Sequence, residues 1–214
     1  MKKPDFRSIY RFILTVFLIV NVRIEASELP ANNLTSSSTM INLKHWQIIK
    51  DAEPNKPLTS LPDSLWQILD SDVDEDLYSV GNWLLKTDIL ITDSLDDKRL
   101  IGLFPLNFIT AYEIYWDGIK IGQNGKIGIN ENDEVAGNYN FNLTLPLNLL
   151  KNGKHTIVFR ISNHNNYSSW KWFYGDIVIG KYDFLLEKIY QLYYRAFFIT
   201  GILLTILSLK KYII

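Results

Sequence analysis

The sequence predicts a mainly β protein, an antiparallel β-sandwich of the jelly-roll kind with a membrane helix at its C-terminal end. Three observations carry that reading. Apolar residues alternate with polar ones in separate runs between Ala111 and Asn163, which is the period of a strand with two unlike faces. An Asp117-Gly118 pair sits directly between two such runs, and these residue types accept the positive φ that a two-residue hairpin turn demands. Near the other end, residues 196–209 contain no charge at all.

Taken in order, the chain opens with a basic head. Lys2, Lys3, Arg7 and Arg11 precede the apolar run 12–20. That run is shorter than the roughly 20 residues a spanning helix needs. A short apolar core behind a basic head has the form of a secretory signal peptide, expected over residues 1–26 with cleavage after Ala26. Ile24 is not small, and Arg23 and Glu25 are charged, so an uncleaved anchor is the alternative. Either way the following domain leaves the cytoplasm. Residues 27–40 are rich in Ser, Thr and Asn and read as a linker.

The domain is expected over residues 41–181. The run 41–49 opens it as a strand, and residues 51–62, with three prolines, form a loop. Leu65, Trp66, Ile68 and Leu69 make a short apolar patch. Residues 70–76 hold five acids and no base. Their alternating aspartates resemble the start of a calcium loop. However, Glu75 stands where that loop needs glycine and Gly81 where it needs a carboxylate, which favours a solvated acidic loop. Trp83, Leu85, Thr87, Ile89 and Ile91 share one face of a long strand, and Pro105 places the end of the strand at 100–106 on an edge or bulge. In the central stretch, Tyr112, Ile114 and Trp116 alternate with Glu113 and Tyr115, and 119–123 is the return strand. Phe141, Leu143 and Leu145 form one further strand. Ile157, Phe159 and Ile161 form another, entered through an Asn152-Gly153 turn. About eight strands at this spacing suit a jelly roll.

Charge and composition narrow the function. Residues 27–182 carry 13 Lys and Arg against 19 Asp and Glu, an acidic body that argues against nucleic acid. There is no cysteine, which excludes disulfides, thiolate metal sites and a catalytic thiol. His45, His155 and His164 are not spaced as zinc ligands. No phosphate-binding or dinucleotide glycine motif and no nucleophile elbow occurs, so no cofactor is expected. Glu113 and Asp117 lie close together, but Asp117 belongs to a turn, so the pair is no sign of a glycosidase. Three acceptor sequons, at Asn33, Asn142 and Asn166, are what an asparagine-rich chain produces by chance.

The C-terminal end reads as helix over 182–194. The uncharged run 196–209 follows, bounded by Arg195 and Lys210-Lys211. Fourteen residues at about 1.5 Å each reach roughly 21 Å, short of a hydrocarbon core of roughly 30 Å. Snorkelling of Arg195 and Lys210, and an interfacial belt of Tyr190, Tyr193 and Tyr194, make up the length from 189 to 214. The expectation is one span with Lys210-Lys211 on the cytoplasmic side.

The order of several segments resembles a known family. These are Leu43…Trp46, Trp66 and Gly81-Asn82-Trp83-Leu84-Leu85-Lys86. They are followed by Tyr112-Glu113-Ile114-Tyr115-Trp116-Asp117-Gly118-Ile119-Lys120-Ile121-Gly122 and by Asn152-Gly153-Lys154-His155-Thr156-Ile157-Val158-Phe159-Arg160-Ile161. Together they resemble the galactose-binding-like jelly roll found as the sugar-binding domain of family 2 glycoside hydrolases. The resemblance covers about residues 41–180. Tyr174-Gly175-Asp176-Ile177-Val178-Ile179-Gly180 is similar to the closing strand of the same domain in its role as extracytoplasmic sensor of bacterial seven-transmembrane receptors with diverse intracellular signalling modules. The family's aromatic-aromatic-Arg run is replaced here by Leu84-Leu85-Lys86. The resemblance implies a non-enzymatic, ligand-binding sensor, cut short after its first span and dependent on a membrane signalling partner chain for output. A carbohydrate-binding surface protein that only tethers is the alternative, and a glycosidase fragment a third.

The candidate ligand residues lie in the polar and aromatic loop after the last long strand. Tyr167, Trp170, Trp172 and Tyr174 can stack on a sugar face, while Asn163, His164 and Asn165 hydrogen-bond its hydroxyls. The competing reading is that these aromatics cap the sandwich.

Overall fold

The computed structural model of the chain describes residues 32–50, 56–58, 61–69, 80–93, 95, 100–106, 110–138, 141–165 and 177–210, without the side chains of 192 and 206–210. The chain divides into two units, Ser27–Leu186 and a second that includes Glu187–Ile214.

Antiparallel strands in two sheets build the first unit. In chain order they are β1 (Asn33–Leu34), β2 (Met40–Asn42), β3 (Gln47–Lys50), β4 (Gln67–Ile68), β5 (Asn82–Ile91), β6 (Ile101–Pro105), β7 (Ala111–Trp116), β8 (Ile119–Asn124), β9 (Leu143–Leu145), β10 (Gly153–Ser162) and β11 (Ile177–Lys181). The larger sheet runs β4-β3-β5-β10-β7-β8, with β1 lying parallel to the far end of β5; the smaller runs β2-β11-β6-β9. β5 and β10 pair along their whole length, from Gly153 opposite Ile91 to Ser162 opposite Asn82.

Alternation decides the core. Trp83, Leu85, Ile89, Tyr112, Ile114, Trp116, Ile157, Phe159 and Ile161 of the larger sheet share one cluster with Ile101, Leu103, Ile177 and Ile179 of the smaller. Phe159 sits at its middle, ring centroids 5.9 Å from Trp46 and 5.8 Å from Tyr112. Each such side chain contributes about 1.5–3 kcal/mol by leaving water. The hairpin forms as its sequence predicts, with Asp117 at φ 49° and Gly118 at φ 80°. The opposite face of the larger sheet is partly covered too. Arg160 Nη2 donates to the Lys56 carbonyl, and the Lys86 ammonium lies 4.4 Å from the centre of the Trp66 ring.

Three expectations change. The opening run is two strands in different sheets, because His45 at φ 57° turns the chain and the Trp46 indole donates back to the Leu43 carbonyl at 3.2 Å. The strand at Leu143–Leu145 pairs with β6 rather than standing beside β10. Pro146 has no N–H to continue the ladder, and a 3-10 turn at Leu147–Leu149 follows it. Residues 32–39, expected as linker, are folded. Leu34 is fully buried, and the Asn32 amide donates to the carbonyls of Lys44 and Asp88 and to Thr87 Oγ1.

The helix α1 (Tyr182–Lys210) begins at the residue after β11 and is continuous through Arg195. Its first turn belongs to the sandwich unit. The Tyr182 hydroxyl donates to Asn142 Oδ1 at 2.8 Å, its ring packs on Phe104, and Leu185 is buried. From Glu187 onward the helix exposes Tyr190, Tyr193, Tyr194, Phe197, Phe198, Ile202 and Leu204. Among the described residues no helix is long and apolar enough to cross a membrane.

Candidate functional site

Three strand ends meet at one edge of the sandwich. Asn82 opens β5, Ser162 closes β10 opposite it, and Ala111 opens β7 opposite Ser162. One step further, Asn163 N donates to the Gly81 carbonyl at 2.9 Å, and Thr110 precedes Ala111. The ladder ends here, and polar side chains take over. Asn82, Thr110, Ser162 and Asn163 are all buried.

Four polar groups at this end have no hydrogen-bond partner among the described residues. They are Asn82 Oδ1, Asn163 Oδ1, Thr110 Oγ1 and the indole N–H of Trp83. A buried polar group left unpaired costs about 1–3 kcal/mol, so native folds carry few of them. Asn82 and Trp83 are consecutive in β5, so their side chains leave opposite faces of the larger sheet at this end. The amide nitrogen of Asn82 meets His164 Nε2 at 3.0 Å, and the Lys50 ammonium stands 5.7 Å from the centre of the Trp83 ring.

A second loop reaches the site. Residues 125–138 are folded back by a Lys126–Val135 bridge and by Asn124, whose side chain takes Asn138 N and donates to Asn138 O. This fold delivers the Glu134 carboxylate, itself buried, under the 162–165 turn. Glu134 Oε2 accepts from Ser162 Oγ at 2.5 Å and from His164 N at 2.9 Å. Glu134 Oε1 accepts from Asn165 N at 3.1 Å and Asn165 Nδ2 at 3.3 Å. Ser162 Oγ in turn accepts Gly128 N at 3.2 Å. Residue 128 must be glycine, since a Cβ there would lie 2.5 Å from Glu134 N. Burial alone would raise the Glu134 carboxyl, but the donors from Ser162, His164 and Asn165 outweigh it and hold it below the usual range.

Of the residues read from the sequence, the structure brings Asn163, His164 and Asn165 together at this end. Tyr167, Trp170, Trp172 and Tyr174 lie outside the described residues. Asn82, Thr110 and Glu134 were not read as site residues. Asn82 and Thr110 become neighbours of Asn163 only through strand register. Glu134 looked like one acid among several in Glu131-Asn132-Asp133-Glu134. Glu113 and Asp117 are engaged separately, the former with Tyr115 and Lys120 and the latter with His155 and Thr156.

No protein-family model matches the chain, and no curated protein matches it. Parts of solved glycoside hydrolases are similar in structure. One is a family 2 member from Bacteroides cellulosilyticus, at 14% identity and TM-score 0.46 over 67% of this chain and 20% of that one. Another is the family 2 β-galacturonidase from Eisenbergiella tayi bound to galacturonate, at 12% identity and TM-score 0.41 over 67% and 24%. A β-glucuronidase of family 2 shows 16% identity and TM-score 0.45 over 72% and 18%. The chain thus spans about a fifth of the length of these proteins.

Proposed function

We propose that this chain is a membrane-anchored, non-enzymatic binding module. It holds a hydroxyl-bearing ligand, a carbohydrate in the first instance, at the sandwich end formed by Asn82, Trp83, Thr110 and Asn163. The observation that carries this is the mixture of unpaired groups there. Two amide oxygens accept, one indole N–H donates, and one hydroxyl does both. A bare cation fails the indole and a bare anion fails the amide oxygens, whereas a sugar carries several hydroxyls that each donate and accept. On this reading the domain is a galactose-binding-like jelly roll.

The setting we propose is the extracytoplasmic side of a membrane, as the sensor part of a signalling receptor. Tyr190, Tyr193, Tyr194, Phe197, Phe198 and Ile202 recur at helical spacing on an exposed, broad apolar stripe of α1, a pattern suited to lipid. Crossing the bilayer would draw on residues 206–214 as well. The direct join of β11 to α1 supports a signalling role, because a strand that runs into a docked helix can pass on a shift. The test is a glycan array probed with the full chain in nanodiscs, alongside alkaline extraction of membranes. Retention of uncharged glycans, with the chain remaining in the pellet, is the expected result. A blank array would sink the ligand reading, and release into the supernatant would sink the anchor.

A further inference from the structure

We propose that Glu134 is the specificity-determining residue of this sandwich end. Its carboxylate is the built-in anion of a nest formed by the 162–165 turn, so the site takes uncharged hydroxyl ligands and rejects carboxylated or sulfated ones. This rests on the ligand reading above and deepens it.

The turn between Ser162 and Asn165 has the form of an anion receptor. The consecutive backbone N–H groups of His164 and Asn165 point to one carboxylate, joined by the Ser162 hydroxyl and the Asn165 side-chain amide. Successive amides of this kind ordinarily gather a phosphate or carboxylate from outside. Here the protein supplies the anion from a distant loop, in a fit so close that residue 128 has no room for a Cβ. Four donors of the turn are thereby used. What the same end leaves unpaired is two amide oxygens, which only accept, the Thr110 hydroxyl, which does both, and a single pure donor, the Trp83 indole N–H. The other titratable groups around the carboxylate are Glu131 and Asp133 on its own loop, Lys126 at the base of that loop and the His164 imidazole on the turn. The loop therefore carries two further exposed acids beside Glu134. An incoming carboxylate would meet acceptors and like charge, while an uncharged hydroxyl meets partners.

The experiment is amide hydrogen exchange on the full chain in detergent micelles, comparing wild type, Glu134→Ala and Glu134→Gln, with and without sodium formate. In Glu134→Ala the His164 and Asn165 amides should exchange about tenfold faster or more, with Phe159 and Ile161 unchanged. Formate should restore their protection by filling the vacated nest, and should leave wild type unaffected. Glu134→Gln keeps the volume but sets an amide against the donors, so it should exchange fast and gain nothing from formate. Retained protection in Glu134→Ala, or no response of that variant to formate, would overturn the nest. Binding supplies the second arm. Wild type should take an uncharged oligosaccharide at least tenfold more tightly than its uronic-acid counterpart, and equal binding of both would overturn the specificity. If the exchange results hold while no glycan of either kind binds, the ligand reading falls and the nest stands.

Discussion

The two ends of the β7–β10 pair treat their polar groups in opposite ways. At the hairpin end, Asp117 Oδ1 accepts Thr156 N at 2.8 Å and Asp117 Oδ2 meets His155 Nδ1 at 2.6 Å. His155 Nε2 meets the Lys151 carbonyl at 2.6 Å, and Thr156 Oγ1 donates to Asp88 at 2.8 Å. Apart from the indole N–H of Trp116, that end leaves no buried side-chain polar atom unpaired among the described residues. At the Asn163 end, four polar groups remain unpaired. Both ends are polar in sequence, so composition does not explain the contrast. A two-residue turn holds donors and acceptors in register, whereas the other end is assembled from separate strand ends and the 125–138 loop. Polar groups that close on one another serve stability, and on the proposed reading those left unpaired serve a ligand. Substitutions at the two ends should therefore fail in different ways.

The hardest break is the middle that both ends share. Phe159→Ala removes a ring buried against Trp46 and Tyr112. It should cost about 3–5 kcal/mol in equilibrium denaturation and abolish folding and binding together. Next comes the saturated end. Asp117→Ala loses the bonds to His155 and Thr156 and puts alanine at a left-handed position. A loss of about 1–2 kcal/mol is expected, with ligand affinity kept. The open end should reverse that pattern. Asn163→Ala removes a buried acceptor that nothing satisfies, so unfolding free energy should stay within about 0.5 kcal/mol of wild type while affinity for a bound glycan, measured by calorimetry, falls about tenfold.

Acid gives the smallest effect and acts at both ends, since Glu134 is lowered as well as Asp88 and Glu113. Burial alone would raise Asp88, but hydrogen bonds from Lys154 and Thr156 and the charges of Lys154 and Lys86 lower it on balance. Glu113 is lowered likewise, with burial outweighed by Lys120, Tyr115 and Arg160. A carboxyl lowered by folding favours the native state wherever it is ionised in both states. That contribution is complete above the ordinary carboxylate range and shrinks as pH falls through it toward the folded value. Stability should be flat from neutral down to about pH 5 and decline below about pH 4, with a shallower decline in Asp88→Asn.

Much of the sandwich was legible in the sequence because alternation is a direct record of a buried face. Trp83 to Ile91, Tyr112 to Trp116 and Ile157 to Ile161 all point inward as their period requires. Neighbour order was less legible. The Leu143–Leu145 run shows the same alternation whichever strand it joins, and only Pro146 hinted that it would not lead straight into a hairpin. His45 breaks the opening run through its backbone angle, which no residue type announces. For the site, Asn163, His164 and Asn165 were readable as a dense polar cluster after a strand. Glu134 was not, because it acts 28 residues from Ser162 through a loop whose closure depends on Asn124 and Gly128.

The most direct test of the account is binding of an uncharged oligosaccharide to the full chain in nanodiscs, by calorimetry, with Asn82→Ala/Asn163→Ala beside Asp117→Ala. The account predicts that the double variant loses the ligand while keeping its denaturation midpoint, and that Asp117→Ala lowers the midpoint while keeping the ligand. Equal binding by the double variant and wild type would contradict it.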